Sequence, residues 1–347
     1  MKACGILATD FELGSETVTF EQLEERFGAE AMQKVLSGAG IRNRRVAARG
    51  VCGSDLGYAA ACRLLETHGI ARESIDLLIF CTQSPDYWMP TTACILHERL
   101  GLVRKCAAFD INLGCSQYIY GLSIAYSMLR AGTASRALVV TGDTMSHYIH
   151  PRDRAVVPLM GDAGSATLIG EVPDGQGFLQ FELGTDGTGH RHLMIPAGGA
   201  RIPISAETAI ECEDAEGNVR SQQNLYMNGV GIFHFAISTV PAVIQSVLVK
   251  ASLTMDDIDL FLFHQANLYM LEYLMKKLKI PASRMHFFIE DIGNTSGSTI
   301  PLLLSDAWRA GRIRPGMKVL AIGFGVGLSW GATVMQWPEN APAESHA

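Results

Sequence analysis

Cys115, His264 and Asn294 are the side chains whose types and placement equip this chain for nucleophilic chemistry. Cys115 follows the extended segment 106–112 and precedes an uncharged helix running through Tyr118, Leu122, Ala125 and Leu129. A thiol at a strand-to-helix turn meets free backbone N–H groups and the positive end of the helix dipole, and both favour the thiolate, the form that attacks. At an unperturbed pKa of about 8.5 only a few per cent is thiolate at neutral pH, and each unit of lowering requires roughly 1.4 kcal/mol. His264 follows the apolar run 258–263, at the carboxyl end of a buried strand, where ligand sites of parallel sheets collect. Asn294 lies in Gly293-Asn294-Thr295-Ser296. Singly, each has a plain structural reading, a small buried cysteine or a core histidine satisfied by backbone. Convergence of the three on one crevice is what points to catalysis.

Gly323-Phe324-Gly325-Val326-Gly327-Leu328 is a glycine-rich turn, but no Gly-Lys-Ser/Thr follows it. The dinucleotide fingerprint with an acidic residue about twenty positions on is missing as well, so the turn is neither a phosphate loop nor a dinucleotide site. Backbone N–H groups of such a turn could instead bind an oxyanion, each donor contributing roughly a hundred- to a thousandfold in rate. The N–H of Val326 donates there only if the backbone suits a β-branched residue.

The elements that must position these residues appear twice. Ile75-Asp76-Leu77-Leu78-Ile79-Phe80 matches Ile258-Asp259-Leu260-Phe261-Leu262-Phe263, each an apolar run suited to a strand buried on both faces. An amphipathic helix follows each, and then Asp110-Ile111-Asn112-Leu113-Gly114-Cys115-Ser116 corresponds to Asp291-Ile292-Gly293-Asn294-Thr295-Ser296-Gly297. Leu138-Val139-Val140 follows Asp110, and Val319-Leu320-Ala321 follows Asp291, by 28 residues each. Residues 164–169 and 330–335 look like the closing strand of each half. This repeat predicts an α/β architecture of two strand-helix halves related by a pseudo-twofold axis, with Asn294 facing Cys115 where they meet. The halves are expected at 1–171, carrying the cysteine, and 232–347, carrying the histidine and asparagine. Between them, 172–231 is a polar, turn-rich insertion suited to lids and substrate walls or to partner contacts.

Composition narrows the function classes. A net charge of −7 gives no general attraction for nucleic acid or anionic membrane surfaces. The apolar run near the start is too brief for a signal peptide, and the uncharged stretch 111–129, which contains Asn112, Ser116 and Gln117, reads as buried helix rather than membrane span. A cytoplasmic location is the expectation. Eight cysteines without a CxxC pair indicate neither a disulfide framework nor a zinc site.

Together these motifs resemble the β-ketoacyl-carrier-protein synthase III branch of the thiolase-fold condensing enzymes. The resemblance spans nearly the whole chain and rests on Gly40-Ile41-Arg42, residues 110–116, His264-Gln265-Ala266-Asn267, Gly293-Asn294-Thr295-Ser296, and 323–331 with Trp330. It implies a five-layered αβαβα fold, a homodimer, acyl carrier protein as partner, and a Cys115-His264-Asn294 triad. It also implies acyl-coenzyme A or acyl-carrier-protein thioesters as substrates, with no metal or resident cofactor. The backbone N–H groups of Cys115 and Val326 would form the oxyanion hole of acyl transfer. His264 and Asn294 would donate to a malonyl thioester as carbon dioxide leaves and the resulting carbanion attacks acyl-Cys115.

Several positions depart from the family pattern. Lys34 and Gly38 stand where relatives hold a nucleotide with an aromatic residue and an arginine, and Tyr269 replaces a carrier-contacting arginine, although Lys276 and Lys277 remain as carrier contacts. Met89, just before Pro90, takes a place where the family often has Phe and where the side chain reaches the partner subunit's acyl pocket. An acyltransferase making an ester or amide, and a non-catalytic carrier-binding scaffold, are the alternative readings.

Overall fold

The computed structural model describes residues 2–341; Met1 and residues 342–347, the outer ends of the two expected halves, lie outside it. Five strands, β1 (Ala3–Leu13), β2 (Leu77–Cys81), β3 (Ala107–Ile111), β4 (Ala137–Asp143) and β5 (Ala163–Val172), form one sheet in the order β1-β5-β4-β2-β3. Four more, β6 (Gly177–Thr185), β7 (Leu260–Phe263), β8 (Lys318–Gly325) and β9 (Ser329–Gln336), form a second in the order β7-β8-β9-β6. The helices that matter to the site are α1 (Gly53–Thr67), α2 (Gln117–Arg130), α3 (Gly229–Ala251), α4 (Leu268–Leu278) and α5 (Thr299–Arg309).

Strand periodicity builds five layers. Leu77, Ile79 and Cys81 of β2 and Leu260 and Leu262 of β7 point into one shared core with Ile119 and Leu122 of α2 and Ile300 and Leu303 of α5. Leu78 and Phe80 turn to the opposite face, against α1 and Leu96. Phe261 and Phe263 turn outward against α3 and α4. The order is therefore helices, sheet, the α2/α5 pair, sheet, helices. β2 and β7 are both buried on both faces, which is why their sequences lack the apolar-polar alternation of a half-exposed strand. Helix α3 is long and apolar enough by composition to cross a membrane, yet its inner residues Phe235, Val240, Val243, Ile244 and Val247 belong to the core on the second sheet.

The two halves share one device at their start. The Asp76 carboxylate accepts the Arg136 N–H at 2.9 Å, and the Asp259 carboxylate accepts the Lys318 N–H at 2.7 Å, so each fixes the parallel neighbour beside it. Leu77 consequently pairs with Ala137 and Leu260 with Val319. The counterpart of Val319 is thus Ala137, one residue earlier than the spacing from Asp110 indicates. The closing strands do align as read, with Val140 opposite Ala166 and Ile322 opposite Ala332.

The segment 172–231 is not all insertion. Its residues 177–185 form β6, which pairs antiparallel with β9 as β1 pairs with β5. The second half therefore takes its edge strand from upstream of 232, and α3 begins at Gly229. Only 186–228 is excursion. The polarity of β6 concealed this: the strand lies at a sheet edge, and Gln180, Glu182 and Thr185 read as loop.

Candidate active site

Cys115 sits just before α2, in the turn closed by the Gln117 N–H to the Gly114 carbonyl at 2.8 Å. Two glycines of β8 let this turn lie on the second sheet: a Cβ on Gly323 would stand 2.6 Å from the Cys115 carbonyl oxygen, and one on Gly325 would stand 2.8 Å from Cys115 Sγ. Beyond them Val326 presents its N–H to Sγ, joined by the N–H of Cys115 itself and the Ser296 hydroxyl. Ser329 Oγ donates to the Val326 carbonyl at 2.8 Å and lies 2.7 Å from Ser116 Oγ, which ties the oxyanion turn to the nucleophile turn. Val326 itself has no left-handed backbone, since among the described residues the positive-φ non-glycines are Ser252, Lys279 and Ser296. Its β-branch is accommodated, and Val326 Cγ1 occupies the space left by the missing side chain of Gly114.

Burial pushes the Cys115 thiol up to about 11, and the nearby Asp143 charge adds to this, outweighing the Val326, Cys115 and Ser296 donors. The resting group is a protonated thiol, contrary to the thiolate expected from the helix dipole. A nearly solvent-free site penalises charge more than one helix terminus favours it.

His264 ends β7, where alternation turns it to the same face as Leu260 and Leu262 and hence as Gly323 and Gly325. Its ring stands edge-on to Phe324 at 5.6 Å, and Nδ1 lies 2.6 Å from Thr299 Oγ1. Burial lowers its pKa to about 3, so the imidazole is neutral. Asn294 Oδ1 accepts the Ser296 N–H at 3.0 Å, which leaves Nδ2 as the outward donor; one of its hydrogens points toward the Ala266 carbonyl, 3.5 Å away. The backbone of Asn294 is gripped by the first half, donating to the Leu159 carbonyl at 2.8 Å and accepting from the Gly161 N–H at 3.0 Å. Ser296 has φ 53°, a left-handed strain of about 1–3 kcal/mol of the kind that collects at active sites.

Cys115, Asn294 and Val326 line one cavity of ≈ 210 Å³. Its polar lining is completed by Gln83, Asn112 and Ser296, and the remaining wall is apolar, with Met145, Met160, Met194 and Met227. The excursion contributes Leu193, Met194, Ile195, Leu225 and Met227 to that wall. His264 is not a wall residue; it stands behind, joined to Asn294 through Ala266 and to Ser296 through Thr299, whose hydroxyl is 3.1 Å from the Ser296 carbonyl.

The remaining expected site residues lie elsewhere. Met89 is 82% exposed beside Tyr87 and Trp88 and does not reach the cavity of its own chain. Lys276 and Lys277 are exposed in the last turn of α4, with Lys277 Nζ donating to the Ile237 carbonyl at 2.7 Å. Lys34 pairs with Glu30 at 2.8 Å, and Tyr269 stacks on Phe233 at 5.5 Å. Missed from sequence were Ser296, Thr299, Gln83 and the methionine wall. Missed too was Asp143, although a carboxylate closing an apolar strand is the same signal that picked out His264.

The close approach at Gly325 gives one prediction. Gly325→Ala places a methyl against Sγ and must shift the thiol, so acylation of Cys115, followed by intact-protein mass spectrometry, is expected to slow about a hundredfold. An unchanged rate would mean that the Cys115 position is not critical.

Residues 109–187 match the family described as 3-oxoacyl-[acyl-carrier-protein (ACP)] synthase III, and 248–337 match its C-terminal portion. The β-ketoacyl-[acyl-carrier-protein] synthase III of Caldanaerobacter subterraneus subsp. tengcongensis is 36% identical over 335 residues, covering 96% of this chain and 98% of that protein. The same-named protein of Desulfitobacterium hafniense is 35% identical over 340 residues, covering 98% and 99%. A crystal structure of a 3-oxoacyl-(acyl-carrier-protein) synthase III superposes with TM-score 0.94 at 39% identity, covering 96% of this chain and 99% of that one. A 3-oxoacyl-(acyl-carrier protein) synthase from Burkholderia xenovorans LB400 gives 0.91 at 35%, covering 99% and 96%. With the thiolase fold and a cysteine and asparagine at one cavity, this chain belongs to the β-ketoacyl-[acyl-carrier-protein] synthase III family.

Proposed function

We infer that the chain is a condensing acyltransferase that joins an acyl group to a malonyl thioester carried by acyl carrier protein. The observation that carries the reading is Cys115 Sγ beneath the Val326 and Cys115 N–H groups, at the polar end of an apolar cavity that Asn294 shares. In the first stage Sγ bonds to the thioester carbon, the two N–H groups hold the oxyanion, and the carrier thiol departs with the proton that Cys115 gives up. The acyl chain lies against the methionine wall, whose flexible side chains adapt to its shape.

In the second stage the malonyl carbon–carboxylate bond breaks and carbon dioxide leaves its electron pair in an enolate. Asn294 Nδ2 and the neutral His264 donate to the thioester oxygen on which that charge develops. Thr299 Oγ1, 2.6 Å from His264 Nδ1 and donating to the Ser296 carbonyl at 3.1 Å, holds the ring in place; donation to the thioester oxygen uses the tautomer that carries its proton on Nε2. The enolate carbon then bonds to the acyl carbon, the C–S bond to Cys115 breaks, and the sulfur takes up one proton from water. No metal, redox cofactor or resident prosthetic group enters these steps. The working unit is a cytoplasmic homodimer in which Met89 faces a second copy, and the carrier docks at the α4 end bearing Lys276 and Lys277.

Purified protein given an acyl thioester should gain the acyl mass on Cys115, and malonyl-carrier protein should then release carbon dioxide with formation of the 3-oxoacyl product. Ester or amide formation without carbon dioxide would select acyl transfer to an alcohol or amine. Failure of Cys115 to gain mass would favour a carrier-binding scaffold.

A further inference from the structure

Asp143 closes β4 and is 1% exposed, behind the catalytic cavity. Its Oδ1 accepts the Gln83 N–H at 2.8 Å, the Thr82 hydroxyl at 3.1 Å and the Ser84 hydroxyl at 3.4 Å; its Oδ2 accepts Gln117 Nε2 at 2.9 Å. The Gly297 N–H faces the same carboxylate and helps hold its pKa down, and Gly297 packs on the Gln117 amide. These donors come from distinct parts of the site. Gln117 is two residues past Cys115, Gly297 is three past Asn294, and Gln83 lines the cavity.

We propose that Asp143 is a positioning residue that locks the Cys115 turn of one half to the Asn294 loop of the other through Gln117 and Gly297. The contact is close enough to dictate composition: a Cβ on Gly297 would stand 1.9 Å from Gln117 Nε2. Gln117 is wholly buried and its Oε1 has no hydrogen-bond partner, so the bond to Asp143 orients the amide. Burial raises the Asp143 pKa to about 6, opposed by these same donors. The titratable groups that feel its charge are Cys81, Cys115 and Tyr148, each pushed up by it. A carboxylate is kept where ionisation is costly because one acceptor with two oxygens can gather donors from both halves at once.

The inference deepens the condensing-enzyme reading and rests on it. Acylation needs only Cys115 and the oxyanion turn, whereas condensation needs Cys115 and Asn294 in register, so loosening the clamp should separate the two steps. The test compares unaltered protein with Asp143→Asn and Gln117→Leu, following acyl mass on Cys115 and carbon dioxide release from malonyl-carrier protein. Acylation within about threefold of normal, with condensation slower by about tenfold or more and the malonyl KM little changed, is the expected result in both variants. Equal slowing of the two steps, or no slowing, overturns the clamp. If Asp143→Asn does not fold, Gln117→Leu carries the same readout.

If the unaltered protein acylates but releases no carbon dioxide, it is the functional reading that fails. The clamp is then read from iodoacetamide alkylation of Cys115. Its half-maximal pH should fall by roughly half a unit in Asp143→Asn, and an unmoved profile overturns the proposal.

Discussion

Cys115→Ala is expected to abolish acyl-enzyme formation and to lower 3-oxoacyl product formation by about four to six powers of ten, the range seen when a catalytic nucleophile is removed. The size follows from covalent catalysis: without Sγ the acyl group has no site in which to wait while the malonyl carbanion forms, and the donors on Val326 and Cys115 have no tetrahedral centre to hold. Carbon dioxide release from malonyl-carrier protein should persist at a low rate, because His264 and Asn294 are untouched. Replacement of a small side chain by alanine leaves packing almost intact, so unfolding midpoints should agree within a few degrees. Intact-mass spectrometry and product chromatography check both arms. Normal product formation by Cys115→Ala would end the assignment of the nucleophile.

His264→Ala and Asn294→Ala should show the complementary defect. Each variant should still gain the acyl mass, while decarboxylative condensation falls about a hundred- to a thousandfold per lost donor. Asn294→Asp should be at least as damaging as Asn294→Ala, since it places a carboxylate where the enolate charge develops. The two single losses need not add, because both donors serve one oxygen.

The titration of His264 has a separate signature. Its pKa falls from 6.5 to about 3 by burial, so it stays neutral through the working pH range and contributes no acid limb to condensation near pH 6. The sign for stability follows from linkage. Above pH 6.5 the imidazole is neutral whether the chain is folded or unfolded. Between 6.5 and about 3 the unfolded chain binds a proton that the folded one refuses, so stability falls as the pH drops through that window. Urea unfolding at pH 7.5 and pH 5 should show a loss that is smaller in His264→Ala. An equal loss in both proteins would mean that His264 is not buried in its neutral form.

Much of the fold was legible because buried parallel strands leave continuous apolar runs, and the runs at 75–80 and 258–263 recur with their flanking aspartates. Those aspartates proved to be structural, each capping the start of the neighbouring strand. The second half's edge strand was not legible. An edge strand that buries one face carries Gln and Glu on the other, and β6 therefore resembled the loop that follows it.

At the site, residue types and strand-end positions pointed to Cys115, His264 and Asn294; the structure brings Cys115 and Asn294 to one cavity, where the repeat places equivalent turns opposite each other. The charge state of Cys115 was misread. A helix terminus can be seen in sequence, but the burial of Sγ that overrides it, and the Asp143 charge that adds to it against the Val326 and Ser296 donors, are set by segments distant in the chain.

The amino-acid sequence by itself determined the two-half α/β architecture and the types and spacing of the candidate site residues, since each is written in local pattern and spacing. Tertiary structure alone decided which backbone N–H groups reach Sγ, that His264 stands behind the cavity rather than in its wall, and that a buried carboxylate joins the two catalytic turns. Those outcomes depend on contacts between segments far apart in the chain. No short-range periodicity encodes the distance between two loops from different halves.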